Sequence, residues 1–446
     1  MTQYPIVLLT SLLALATITH AAIAGDLPKV TLQGDWQIRI GQGEITSRGT
    51  RYKVATPALL SVDPPTIVIV QDEAYDTLPV YNPQAAGWAA GAALKGLINE
   101  ETTAAGMLIP ETVRIKKAAG NADDYVKDKD YAIETTWASV GRLAGGAISD
   151  NTKVWVNYSY GKGRLDSIIV DKAGKVSIRK GKPENALQLP AKLNANEALI
   201  ANIWVSGRLA KLTDAELYPI LAESYRVHKA GERSSFLPKT LTKLDSGKPL
   251  TVLAWGDSVT NGGAASDETH RYQNQFVALL KHKYPKSDIT LRTSAWGGSR
   301  SIDFVNQPAG SEYSYKDKVL GSKPDLIVME FVNDSYLTPE QVEKQYSGFL
   351  KDFQEIGAEW IIITPHFVRP DWMNAPDARV SQDPRPYVKA LREFAIKHDV
   401  ALADTSLRWG HLMSEGIPYL TLLANSINHP DDRGHEMFAQ SLMELF

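Results

Sequence analysis

The chain has 446 residues, 43% of them hydrophobic and 22% charged, with a formal net charge of −3. That length exceeds one ordinary domain and predicts two or three. The charge, with no Lys/Arg-rich run, gives no reason to expect nucleic acid as a partner. The chain has no Cys, which excludes disulfides, thiol catalysis, thiolate metal sites and a lipid-modified cysteine at a leader cleavage site.

Residues 1–24 read as a signal peptide. The apolar run Ile6 to Ile18 is short for a membrane span, and Ala22 and Ala24 place small residues before Gly25, although the n-region lacks Lys and Arg. The expectation is a secreted or periplasmic protein with no membrane span after cleavage.

From Gly25 to Leu237 the sequence predicts a β-rich accessory region, either a β-sandwich or a pair of small β modules. Thr152 to Gly161 alternates Val154, Val156 and Tyr158 with polar and aromatic residues, the period of a strand. Arg164 to Gly181 places two β-rich runs around an Ala-Gly turn, and Ala198 to Gly207 predicts another strand. One Ala-rich stretch, Pro83 to Thr102, reads as a helical interlude. His228 to Pro249, with Gly, Ser, Pro and scattered charge, reads as a linker or surface strap.

After Pro249 compact apolar runs alternate with helical spacing, and the domain is placed at 238–446. Strands are expected at 249–255, 288–296, 325–331, 359–365 and 400–405, and helices at 270–284, 339–357, 386–398 and 432–446. This alternation implies a parallel sheet covered by helices on both faces. Ligands of such a sheet bind beyond the carboxyl ends of its strands. The loops expected there are Gly256 to Gly263, Gly297 to Ser301, Val332 to Tyr336 and Asn425 to His435.

Acyl transfer needs a nucleophile, a base within reach and donors aimed at the developing oxyanion. Ser258 offers a hydroxyl at the end of a buried strand, His429 an imidazole in the last loop, Gly298 an unobstructed backbone N–H, and Asn333 a side-chain amide. Those four blocks (GDS after the first strand, Gly after the second, Asn-Asp after the third, His-Pro before the last helix) resemble the SGNH/GDSL hydrolases. The resemblance covers the last two hundred residues or so. It implies a flavodoxin-like α/β fold with the parallel sheet between helices, preceded here by the β-rich, sandwich-like region. It also implies Ser258 as nucleophile and His429 as base. The oxyanion hole would comprise the Ser258 N–H, Gly298 and Asn333. No cofactor is implied. The G-x-S-x-G motif of α/β-hydrolases is absent around Ser258.

Two positions depart from the family pattern. Phe331 stands where the third block has Gly, and Ser426 stands three residues before His429, where the last block has Asp. The imidazole must then be oriented by Asn425, by a backbone carbonyl, or by a carboxylate from elsewhere. The run His429, Asp431, Asp432, His435 invites a metal, but Asp432 and His435 fit a helix start better and no metal is expected. The long loop from Ile363 to Tyr387 brings His366 and Trp372 over the rim. With Trp296 and Arg300 they are candidate substrate contacts, as aromatic faces suit sugar rings.

The expected function is hydrolysis of carboxylic esters, with O-acetyl groups on a carbohydrate as substrate. The alternatives are a non-catalytic glycan-binding or surface-assembly protein on this scaffold, and an acyltransferase or lipase using the same residues.

Overall fold

A computed structural model describes residues 26–120, 123–221 and 234–446; the signal peptide expected over 1–24 lies outside the described residues. In the C-terminal part five parallel strands form one sheet. They are β1 (Leu250–Gly256), β2 (Ile289–Ala295), β3 (Leu326–Glu330), β4 (Glu359–Ile363) and β5 (Ala401–Ala403). Their order is β2-β1-β3-β4-β5, the flavodoxin-like order, in which the winding reverses at β1. The helices are α1 (Pro238–Ser246), α2 (Tyr272–Lys283), α3 (Ser301–Val305), α4 (Pro339–Glu355), α5 (Pro386–Lys397), α6 (Thr405–His411) and α7 (Asp432–Met443).

Successive residues of a strand point to opposite faces, so an apolar run buries both. Val252 and Ala254 of β1 join a core with Leu244, Phe276, Leu280 and Phe438 from α1, α2 and α7. Leu253 and Trp255 join the opposite core with Tyr346, Phe349, Phe353 and Phe394 from α4 and α5. At roughly 1.5–3 kcal/mol per fully buried large apolar side chain, two such faces can hold a chain that has no disulfide. Phe331 belongs here. It is buried with its ring 5.0 Å from Trp255 and 5.8 Å from Phe304, and its extended φ of −141° needs no glycine.

The segment read as a linker is in part a core helix. Pro238 occupies the first turn of α1, and Leu237 and Leu244 sink into the sheet core. Glu359 at the start of β4 accepts the Lys239 and Thr240 amides at 2.8 and 2.7 Å, serving the helix end that Leu237 cannot cap. Pro238 and Gly247 of that segment are the helix's own start and stop signals, with Gly247 ending it at φ +69°.

The N-terminal region is antiparallel throughout its longer sheets. Val154–Lys162 lies between Thr66–Tyr75 and Leu108–Lys116. Arg164–Asp171, Val176–Arg179, Glu197–Val205 and Leu217–Pro219 form a second sheet. Two separate hydrophobic clusters serve these sheets, one around Leu94, Leu108, Ile115 and Val154 and the other around Ile38, Val54, Ile168 and Ile203.

The helical interlude expected over Pro83 to Thr102 is not formed. Instead the chain makes 3-10 turns at Gly87–Ala89 and Lys95–Leu97, and a hairpin pairs Ile98–Asn99 with Thr102–Thr103. The glycines explain the difference. A Cβ on Gly91 would lie 2.4 Å from the Val140 carbonyl oxygen, and one on Gly96 2.8 Å from the Tyr158 hydroxyl. The backbone is pressed against neighbouring strands where only glycine fits. Among the described residues no helix is long and apolar enough to cross a membrane.

Candidate active site

Ser258 sits half-buried in the turn leaving β1, at the strand end where this sheet order opens a crevice. The turn is held by its own backbone: Asn261 N–H donates to the Asp257 carbonyl and Gly263 N–H to the Ser258 carbonyl, both at 2.9 Å. The loop after β2 approaches from one side, and a Cβ on Gly297 would be 3.9 Å from the Ser258 Cβ. Gly298 has φ +74° with open space beside it, a conformation that a side chain would strain.

Asp257 binds the third block to the first. Its fully buried carboxylate accepts the Asn333 backbone N–H and the Asn333 side-chain amide at Oδ2, each at 3.0 Å, and the Val259 N–H at Oδ1 at 3.1 Å. One amide hydrogen of Asn333 is thereby used for positioning and the other left for a ligand. Burial pushes the Asp257 carboxyl up, against the pull of these amides and of His429. Burial and the neighbouring Asp257 charge push Glu330 well above the usual carboxylate range. Asp334, raised to about 7 by burial, accepts the Ser301 N–H at 3.1 Å and anchors the start of α3.

His429 lies over the far end of the Ser258 loop: a Cβ on Gly263 would fall 3.0 Å from its Cγ. Its Nδ1 is 2.9 Å from Glu100 Oε2 and 3.5 Å from Glu101 Oε1. Both carboxylates come from the N-terminal hairpin turn, more than three hundred residues away. Burial lowers the His429 pKa, but the Glu100 hydrogen bond and the Glu101, Glu100 and Asp257 charges outweigh it and leave it above 6.5. With Nδ1–H given to a carboxylate, Nε2 is the nitrogen left with a lone pair.

Asn425 does not orient the imidazole ring. Fully buried, it accepts the Ile427, Asn428 and His429 backbone N–H groups at Oδ1, at 2.9–3.0 Å, and donates to Glu101 Oε1 at 2.9 Å. It therefore shapes the loop and steadies Glu101. Ser426, at the position of the family's Asp, is in the left-handed region with φ +59°.

His366 is not on the rim. It is completely buried, its Nε2 bonds to the Asn428 carbonyl at 2.8 Å, and burial followed by the Arg385 charge holds its pKa well below 6.5. Trp372 is exposed on the same loop, and Trp296 is half-buried and stacked on Tyr313 at 4.6 Å. The Arg300 guanidinium is spoken for, paired with Asp303 at 2.6 Å and lying 5.5 Å from the Tyr336 ring. The run that invited a metal has other duties. Asp431 caps α7, Asp432 accepts from Ser266 at 2.7 Å, and His435, lowered to about 4 by burial, bonds to the Gly263 carbonyl. The ligand atoms of Glu100, Glu101 and His429 lie within 4.8 Å of one another.

Sequence reasoning missed Glu100, Glu101 and the anchoring role of Asp257. The signal for the first two was weak: an acidic pair flanked by Ile98-Asn99 and Thr102-Thr103, which is hairpin grammar too short to stand out from the Ala-rich run before it.

Residues 254–437 match the GDSL-like lipase/acylhydrolase family. No curated protein matches the chain. Among solved structures, the chain is similar to a two-domain esterase active on acetylated mannans, at 19% identity and TM-score 0.39, covering 47% of this chain and 52% of that one. It is also similar to an acetylxylan esterase from Geobacillus stearothermophilus, at 20% identity and TM-score 0.35, covering 44% of this chain and 94% of that one. A further acetyl xylan esterase matches at 21% identity and TM-score 0.35, over 44% of this chain and 98% of that one. The chain thus spans about half the length of the two-domain esterase. The match to the GDSL-like lipase/acylhydrolase family spans the Ser258, Gly298, Asn333 and His429 loops.

Proposed function

We propose that the protein is a serine carboxylic ester hydrolase that removes O-acetyl groups from a carbohydrate. The observation that carries the reading is the placement of His429. A carboxylate engages its Nδ1, and its ring lies on the glycine whose N–H bonds back to Ser258. That arrangement leaves Nε2 as the base for the serine hydroxyl.

In the proposed reaction Ser258 Oγ attacks the ester carbonyl carbon as its proton passes to His429 Nε2. Negative charge develops on the carbonyl oxygen and is met by the Ser258 and Gly298 backbone N–H groups and the remaining Asn333 amide hydrogen. Collapse expels the alcohol, which takes the proton from His429 and leaves the acyl group on Ser258. Water, giving its proton to His429, then releases the acid and restores the serine.

The exposed ring of Trp372, on the loop after β4, supports a sugar as the alcohol, and the apolar run with small residues before Gly25 supports export to the periplasm or beyond. A binding-only role drew its motive from the large β-rich N-terminal region together with the missing Asp at position 426; the carboxylate beside His429 favours turnover instead.

Hydrolysis of an aryl acetate by the wild type, compared with longer acyl chains and with the Ser258→Ala variant, tests the chemistry. Acetyl preference and serine dependence are expected, followed by acetate release from an acetylated polysaccharide. A wild type that neither turns over the ester nor labels at Ser258 with a fluorophosphonate would sink the reading. The mass of the exported protein should begin at Gly25.

A further inference from the structure

We propose that Glu100 completes the Ser258–His429 pair as its orienting acid, so that the active site is assembled from both regions of the chain. The inference rests on the esterase reading above and adds to it a residue that lies outside the matched family region.

The geometry is specific. Glu100 Oε2 lies 2.9 Å from His429 Nδ1, the distance of a charge-assisted hydrogen bond. Position 426, where the family carries this acid, is a serine, and Asn425 is turned to other work. The hairpin that delivers Glu100 is built for the task. Glu100 opens its two-residue turn at φ +48°, a left-handed conformation that glutamate rarely adopts and that is retained where surrounding structure enforces it. The enforcement is visible: Thr102 and Thr103 are buried, the Thr102 hydroxyl donates to the Asn425 carbonyl at 2.7 Å, and the Thr103 hydroxyl donates to the Trp137 carbonyl.

The seam around the hairpin is also fixed. The Arg369 guanidinium lies 4.7 Å from the Trp137 ring centre, and Arg369 N–H donates to the Ile427 carbonyl at 2.8 Å. Farther along, the Asn202 amide donates to the Gly416 carbonyl at 2.7 Å. Glu101, held by Asn425, adds a second negative charge at 3.5 Å from Nδ1.

Glu100 is a positioning residue. By accepting Nδ1–H it fixes the tautomer that presents Nε2 to Ser258, and its charge stabilises the imidazolium formed as the serine attacks.

The test uses the full-length protein and an aryl acetate. Glu100→Gln should lower kcat by about 10²–10⁴-fold with little change in KM, because a neutral partner no longer dictates the tautomer. The acid limb of its pH profile should move to lower pH, since the imidazolium loses its partner. Glu101→Gln should lower kcat less. In the proton NMR spectrum, a downfield His429 Nδ1–H resonance present in the wild type should shift or vanish in Glu100→Gln, a readout independent of turnover. Wild-type kcat, pH profile and resonance in Glu100→Gln would overturn the proposal. So would loss of wild-type activity on treatment with a chelator and its return with zinc, which would make the cluster a cation site. An inactive wild type that keeps the Glu100-dependent resonance would refute the esterase reading and leave the contact standing.

Discussion

The sheet domain and the Pro83–Thr102 segment were read from the same sequence with opposite results. In the domain, apolar runs and helical spacing placed β1 to β5 and the longer helices within a few residues of where they lie. In the segment, alanines and spaced leucines predicted a helix, and the chain forms turns and a hairpin instead. A strand buried on both faces and an amphipathic helix write their environment into a local period. The segment follows no local period, because Gly91 and Gly96 answer to Val140 and Tyr158, tens of residues away. The part of the chain that local reasoning handled worst delivers the carboxylate that the family region lacks.

The largest effects are expected in the sheet domain, at the proposed nucleophile and base. Ser258→Ala and His429→Ala should each lower kcat by about 10⁵–10⁶-fold, as single losses from a nucleophile–base unit do. Fluorophosphonate labelling should disappear in the first. Retention of more than a hundredth of the activity in either variant would mean that this rim is not the reactive centre.

Next come the donors. Asn333→Ala should cost about 10²–10³ in kcat, the usual loss for one oxyanion donor. Asp257→Ala should cost a comparable factor, because its carboxylate holds both amides of Asn333. The double variant should lose little more than the worse single one. Independent, multiplying losses would show that Asp257 acts on something other than Asn333.

The pH profile separates the three site-region histidines. With the base required unprotonated, kcat/KM should fall about tenfold per pH unit below the His429 pKa. The Glu100 and Glu101 carboxylates place that limb above 6.5 despite the burial that opposes them. His366 and His435 are held neutral by burial and should add no break above pH 6. A limb well below 6.5 in the wild type would argue that the carboxylates do not face the imidazole in solution.

How much of the site was legible follows the same division. Ser258, Gly298, Asn333 and His429 stand at loop ends that the α/β period positions, so the sequence could bring them together. Asn425 and His366 could be named but not given their jobs. Whether a side chain faces a ring, a backbone amide or the core depends on loop geometry that no period encodes. Phe331 looked like a defect in the third block and is a core residue packed on Trp255. Glu100 was out of reach because its significance exists only across the seam between regions.

Two glycine substitutions set local against non-local control with smaller effects. Gly91→Ala would drive a methyl group to 2.4 Å from the Val140 carbonyl oxygen. It should destabilise the protein by about 1–3 kcal/mol, as overpacking does. Because the displaced backbone leads into the hairpin, kcat should fall as well, in the manner of a weakened Glu100 contact. Gly348 lies on the exposed side of α4 with nothing within 4 Å of a Cβ. There alanine should stabilise by about 0.5–1 kcal/mol through backbone entropy and helix propensity, and kcat should not change. Thermal melts of both variants beside their kcat values decide the matter. If Gly91→Ala melts lower yet turns over like the wild type, the hairpin tolerates displacement and the coupling between the segment and the active site is looser than the hydrogen bonds at Asn425 and His429 imply.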